Sequence, residues 1–166
     1  MAIKNNIIFN MGTNAKLIKG GVFSDERGNI SFVNDLNLNP VKRFYIITNA
    51  NTKTIRAWQA HKIEKRWFYC IKGKIDLRLV KIDNFQNPSN NLTVNNFILS
   101  EEKSQILEVP NGYANGFRAL EDNSQLLVFS NYELNSNIDD DFRFESKKWT
   151  NWEEQLTYKK NKRCII

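Results

Sequence analysis

The stretch IRAWQAHKIEKRWFYCIKGKIDLRLVKI, residues 55–82, decides how this chain folds. It divides into the short apolar or alternating runs IRAWQAH, KRWFYCIKG and KIDLRLVKI, with a turn, IKGK, between the last two. Runs of this length and patterning form strands, because successive strand side chains point to opposite faces. The pattern continues outward: GGVFS, ISFVN and VKRFYIITN precede it, and NFILS, SQILEVP, GFRAL and SQLLVFSNYE follow. The linkers, among them DERGN, LNLNP, NANTK and PNGYANG, carry the Gly, Pro, Asn and Asp residues that tolerate turn geometry. The Asn-rich NFQNPSNNLTVNN reads as a long hairpin connection. No strong helical pattern interrupts residues 21 to 132, which argues against a βαβ sheet and for an all-β barrel or sandwich.

A helical signal comes only late. Thr150 followed by Glu153 makes a capping box, Trp149 stands before it as a staple, and WEEQLTYKK places its basic residues at the favourable C-terminal end. The expectation is a single domain over residues 1–166, with strands over about 20–135 and a docking segment, including a short helix, over about 136–166.

Composition narrows the function classes. The longest apolar runs fall far short of the ~20 residues of a membrane-spanning helix. The N-terminal MAIKNNIIFNMG lacks a signal-peptide core and cleavage site, and Cys70 and Cys164 form no spaced framework, so a reducing cytoplasm is expected. The net charge of +6 points to an anionic partner. Zinc-finger spacing, a glycine-rich phosphate loop and a helix-turn-helix pattern are all missing, and a phosphorylated metabolite fits the charge as well as a polymer does.

His61 is the only histidine, and in a strand it shares a face with Gln59 and Ala57 while Trp58 points away. Imidazole exchanges a proton near neutrality with little help, so His61 leads the candidates for proton transfer; glutamine cannot accept the proton. The competing reading is a solvated basic edge beside Lys62 and Lys65. One histidine and two remote cysteines make no recognisable ligand set, so no metal is expected. In ILEVPNGYANGFRAL, residues 106–120, Pro110-Asn111-Gly112 turns the chain and Gly116 relieves crowding before the next strand. Tyr113 and Asn115 are expected in the bend between. Arg27, Arg56 and Arg66 are each able to grip a phosphate with two aligned donors, or to be plain surface charges.

Together these segments resemble the cupin-fold family of nucleotide-diphospho-4-keto-sugar 3,5-epimerases, the dTDP-4-dehydrorhamnose epimerase group, over about residues 20–150. DERGNISFV is similar to its Asp-x-Arg-Gly strand entry. RFYIITNANTKTIRAWQAH is similar to its strand, Asn/Ser-rich loop and Arg-Gly-Leu-His-x-Gln. NPSNNLTVNNFILSEEKSQILEVPNGYANGFRAL is similar to its Ser-Pro, Leu-Ser and Ile-Pro-x-Gly-Phe-Ala-His-Gly-Phe segments. RAWQAHK also resembles the Arg-Gly-x-His-Ala-His-Lys of the sugar-nucleotide 3,4-ketoisomerases, with His61 and Lys62 matching directly. The resemblance implies a cupin-type antiparallel β-barrel or jelly roll and a homodimer built by strand exchange. It also implies a nucleoside-diphosphate 4-keto-6-deoxy sugar as substrate, with no cofactor, metal, nucleic acid or membrane partner.

The departures bear on mechanism. Gln59 stands where the epimerases have their catalytic histidine, Arg66 where they have an enolate-stabilising lysine, and Asn115 where a second histidine falls. No tyrosine lies at Leu127–Phe129, where the family's acid is expected, although Tyr132 is near. The family's carboxylate falls near Ser146, with Asp139, Asp140, Asp141 and Glu145 as neighbours. The resemblance thus implies His61 as base, with Arg66 or Asn115 donating to the enolate oxygen and Tyr132 as candidate acid. Gln59 and Asn115 would bind substrate and Arg27 and Arg56 the diphosphate, with Phe23, Phe32 or Tyr45 against the base.

Overall fold

The computed structural model describes residues 7–9, 13–134 and 139–153. Its strands are β1 (Ile7–Phe9), β2 (Lys16–Lys19), β3 (Gly21–Asp25), β4 (Gly28–Phe32), β5 (Arg43–Asn49), β6 (Ile55–His61) and β7 (Arg66–Lys72), followed by β8 (Lys74–Lys81), β9 (Val94–Ser100), β10 (Gln105–Val109), β11 (Tyr113–Ala119), β12 (Ser124–Ser130) and β13 (Phe142–Arg143). They form a six-stranded sheet in the order β1-β2-β10-β7-β12-β5 and a five-stranded sheet in the order β13-β6-β11-β8-β9. β3 and β4 form a separate hairpin. The pairings within both sheets and the hairpin are antiparallel.

Alternation decides which side chains fill the space between the sheets. Phe68 and Cys70 of β7 stand opposite Val128 and Leu126 of β12, and Leu77 of β8 stands opposite Phe117 of β11. With Ile75, Leu79, Leu99 and Leu107 they make the main core. Each such side chain removed from water stabilises the fold by roughly 1.5–3 kcal/mol.

The other face of the five-stranded sheet is also covered. Trp58, Ala60, Val80 and Ala114 pack there against Trp152, with Phe142, Phe144 and Trp149 alongside. A Cβ on Gly116 would lie 2.6 Å from the Ala57 Cβ and 3.0 Å from Trp152 Cζ2, so glycine is what lets the indole settle on the sheet. This double burial is why β8 is buried along nearly its whole length. Its Asp76 accepts hydrogen bonds from Arg78 and Arg118, and these arginines donate onward to Thr150, Asn151 and the Trp152 carbonyl.

Three expectations are corrected. The all-β, two-sheet reading holds, but neither sheet closes into a barrel: β5 ends one sheet and β13, beside β6, ends the other, and the two edges are not hydrogen-bonded together. The expected C-terminal helix is not formed by the described residues at its start. The Thr150 hydroxyl, which a helix cap would need, accepts from Arg78 Nη1 at 2.5 Å, and the Glu153 amide donates to Asn151 Oδ1. The remainder of that segment, 154–166, lies outside the described residues. Tyr113 and Asn115, expected in a bend, belong to β11 instead.

Candidate active site

A cavity of about 460 Å³ opens between the two sheets. Arg43 of β5 lines it from one edge; Gln59 and His61 of β6, with Asp139–Asp141 ahead of β13, line it from the other. Glu64, Arg66, Tyr132 and Leu134 complete the lining.

His61 is only 4% exposed. Its Nδ1 lies 2.5 Å from the Asp140 carbonyl oxygen and 3.2 Å from Glu64 Oε2. Both of these atoms accept hydrogen bonds and neither donates, so Nδ1 carries the proton. In the neutral ring Nε2 then holds the free lone pair, and it is buried with no hydrogen-bond partner. Burial, and next the Arg66 cation, hold the His61 pKa below its ordinary value, against the opposing pull of Glu64 and Asp140. The result is a neutral imidazole with one nitrogen anchored and the lone pair of the other unshared.

The anchor is delivered from far along the chain. The Asp140 carboxylate accepts from the backbone amides of Lys62 at 2.7 Å, Ile63 at 3.0 Å and Glu64 at 2.8 Å. Consecutive amides turned inward in this way make an anion-binding concavity, here filled by the protein's own carboxylate. Glu64 is buried, accepting from Ser130 Oγ at 2.5 Å, Arg43 Nη2 at 3.2 Å and Arg66 Nη2 at 3.0 Å. Burial pushes its carboxyl pKa up, but the Arg66 cation and the Ser130 hydroxyl outweigh that and hold it low.

Gln59 sits between two charged partners. Its Oε1 accepts from Arg66 Nη1 at 2.8 Å and its Nε2 donates to Asp141 Oδ1 at 2.9 Å. A neutral amide is the right group for that position, since it satisfies a cation and an anion at once.

Of the residues expected from sequence, the cavity brings together Gln59, His61, Arg66 and Tyr132. Asn115 is buried directly behind, donating to the Gln59 main-chain oxygen, and does not line the cavity. Arg56 donates to Asn49 Oδ1 and is not part of the lining either. Arg27 is exposed on the β3–β4 hairpin, paired with Asp25, away from the cavity of its own chain. Lys62 turns away from the cavity, over the rings of Phe85 and Phe142. Asp140, one of the neighbours of Ser146, reaches the histidine through its main-chain carbonyl, with its carboxylate 3.7 Å from Nδ1.

Sequence reading missed Arg43 and Glu64 as parts of this site, and Tyr45, expected among the aromatics against the base, is not part of the lining. Tyr45 lies two residues beyond Arg43 on β5, with the Arg43 guanidinium 5.2 Å from its ring centre. Burial raises its phenol pKa, with Arg66 pulling the other way. The signal for Glu64 was its spacing, three residues beyond His61 across the turn into β7.

Comparison with known proteins gives a consistent picture. The fold is similar to that of a dTDP-4-dehydrorhamnose 3,5-epimerase from Sulfolobus tokodaii, with a TM-score of 0.71 and 22% identity over 90% of this chain and 88% of that one. It is also similar to a mutant of the 3,4-ketoisomerase QdtA from Thermoanaerobacterium thermosaccharolyticum in complex with TDP-4-keto-6-deoxyglucose. There the TM-score is 0.62 and the identity 21%, covering 81% of this chain and 90% of the other. In sequence, 120 residues are 26% identical to the probable low-salt glycan biosynthesis epimerase Agl13 of Haloferax volcanii, spanning 69% of this chain and 73% of that protein. Residues 13–149 match the model of the family described as FdtA: WxcM-like, C-terminal, and the chain belongs to that family.

Proposed function

We propose that this protein isomerises a nucleoside-diphosphate 4-keto-6-deoxy sugar by removing a proton beside the carbonyl, and that it epimerises one carbon. The observation that carries this reading is the buried, unpartnered Nε2 of a histidine whose Nδ1–H is already committed. A 4-keto group acidifies the hydrogens on C3 and C5. Nε2 takes one as a proton, the C–H electron pair forms a double bond to C4, and the carbonyl π pair moves onto oxygen to leave an enolate. The Arg66 cation, held by Gln59 and Glu64, offsets that charge; fixed groups of this kind commonly lower a barrier by several kcal/mol. Tyr132 is the acid that returns a proton to the opposite face of the same carbon.

A 3,4-ketoisomerase is the second reading, and one observation favours it. Among the described residues, His61 supplies the cavity's only imidazole. One base suffices to carry a proton from C3 to C4 on a single face. Incubation with TDP-4-keto-6-deoxyglucose and its UDP, GDP and CDP counterparts in deuterated water tests both. Label at C3 or C5 with an inverted 4-keto product supports the epimerase, and a 3-keto product the ketoisomerase. No exchange with any of the four overturns the enzymatic reading and leaves a binding protein.

The same proposal includes a homodimer and a cytoplasmic location. The β3–β4 hairpin joins neither sheet and exposes Phe23 and Ile30, while β5 exposes Phe44 and Ile46 at a free sheet edge. A second copy covers such surfaces and brings Arg27 to a neighbouring cavity, where it serves the diphosphate. A monomeric sedimentation profile at micromolar concentration contradicts this.

A further inference from the structure

We propose that Glu64 is the positioning carboxylate of this cavity, joining the His61 imidazole to the guanidinium groups of Arg66 and Arg43 in one fixed arrangement. The inference rests on the reading of His61 as the base.

The geometry singles Glu64 out. Its side chain is 3% exposed, and Oε2 stands 3.2 Å from His61 Nδ1 and 3.0 Å from Arg66 Nη2. Its Oε1 meets Arg66 Nε at 3.0 Å, Arg43 Nη2 at 3.2 Å and Ser130 Oγ at 2.5 Å. Strands β5, β6, β7 and β12 thus converge on one carboxylate. Asp140 is the other candidate, but its nearer carboxylate oxygen lies 3.7 Å from Nδ1, and the carboxylate is engaged by the three amides of the turn. Asp140 therefore holds the turn and lends its carbonyl to Nδ1, while Glu64 supplies the charge beside the ring. That charge favours a developing imidazolium while Nε2 carries a substrate proton, and it keeps both arginines oriented.

The charged groups around the imidazole are Arg66 from β7, Glu64 from the turn, and Asp140 and Asp141 from the segment before β13; Arg43 of β5 acts through Glu64. Because His61 is the only histidine in the chain, its ring resonances report this site alone and need no substrate. In Glu64→Gln, which keeps shape and removes charge, burial and Arg66 remain while the opposing anion is lost. The His61 Cε1–H signal should then titrate at lower pH than in the unaltered protein. An unchanged or upward titration overturns the proposal. Nitrogen-15 correlation spectra of the unaltered protein at pH 7 add a readout that no variant can spoil by misfolding: a protonated Nδ1 and bare Nε2 are expected, and the reverse tautomer overturns it. With TDP-4-keto-6-deoxyglucose as probe, Glu64→Gln should lower kcat for deuterium exchange about 100-fold with KM little changed. If the unaltered protein exchanges nothing, the functional reading falls while the titration still decides the place of Glu64.

Discussion

Replacing Asp140 with alanine removes the acceptor of the amides of Lys62, Ile63 and Glu64, which approach its carboxylate to 2.7, 3.0 and 2.8 Å. Hydrogen bonds to a charged acceptor contribute about 1.5–3 kcal/mol each, so the gross loss for three is about 4.5–9 kcal/mol. Lys62 and Ile63 are exposed, and water entering the vacated space recovers part of it. A net loss of about 2–4 kcal/mol follows. With a urea slope of roughly 2 kcal/mol per molar, the unfolding midpoint should fall by about 1–2 M. The buried Trp58, Trp67 and Trp152 make tryptophan fluorescence a direct probe of that transition. The Asp140 carbonyl remains, but the turn that presents it to His61 Nδ1 loosens, so deuterium exchange should fall with stability. A midpoint within about 0.3 M of the unaltered protein, with full exchange, refutes the claim that this carboxylate organises the β6–β7 turn.

Gly116→Ala puts a methyl 2.6 Å from the Ala57 Cβ and should cost about 1–3 kcal/mol in urea unfolding; equal stability refutes the close packing of the indole on β11. Asp76→Ala strands the buried guanidinium of Arg78 and the half-buried one of Arg118, and a loss of about 3–5 kcal/mol should appear in the same assay. A third test uses pH. Burial and Arg66 hold the folded-state pKa of His61 below the unfolded value, so the unfolded chain takes up a proton first as pH falls. The contribution of His61 is therefore whole above about pH 6.5 and is lost on acidification toward its lower folded-state value. In His61→Asn that part of the acid destabilisation should vanish; an identical pH slope contradicts the buried neutral imidazole.

The strands were legible because each alternates or runs apolar between turn residues. IRAWQAH, KRWFYCIKG and KIDLRLVKI correspond to β6, β7 and β8, and GFRAL to the later part of β11. The earlier part of β11 was hidden by PNGYANG, whose composition suggests a bend although Tyr113 and Asn115 pair with His61 and Gln59. Placing Gln59 and His61 on one face and Trp58 on the other required only the two-residue period. Arg43, Glu64 and Asp140 reach the site through contacts that alternation does not encode: Asp140 meets His61 across 79 positions of chain. The capping signal at Thr150 failed because a buried arginine, Arg78, competes for the same hydroxyl. Barrel closure was expected from the strand pattern and the resemblance, but hydrogen bonding does not join β5 to β13, which neither local alternation nor turn composition encodes.

The central claim is that His61 Nε2 is the proton acceptor, and His61→Asn tests it most directly. Asparagine at this site keeps a donor for the Asp140 carbonyl but has no nitrogen able to take a proton at neutral pH. With TDP-4-keto-6-deoxyglucose in deuterated water, exchange should fall at least 100-fold while calorimetric affinity for the nucleotide sugar changes less than about threefold. Exchange retained near the unaltered rate contradicts the account.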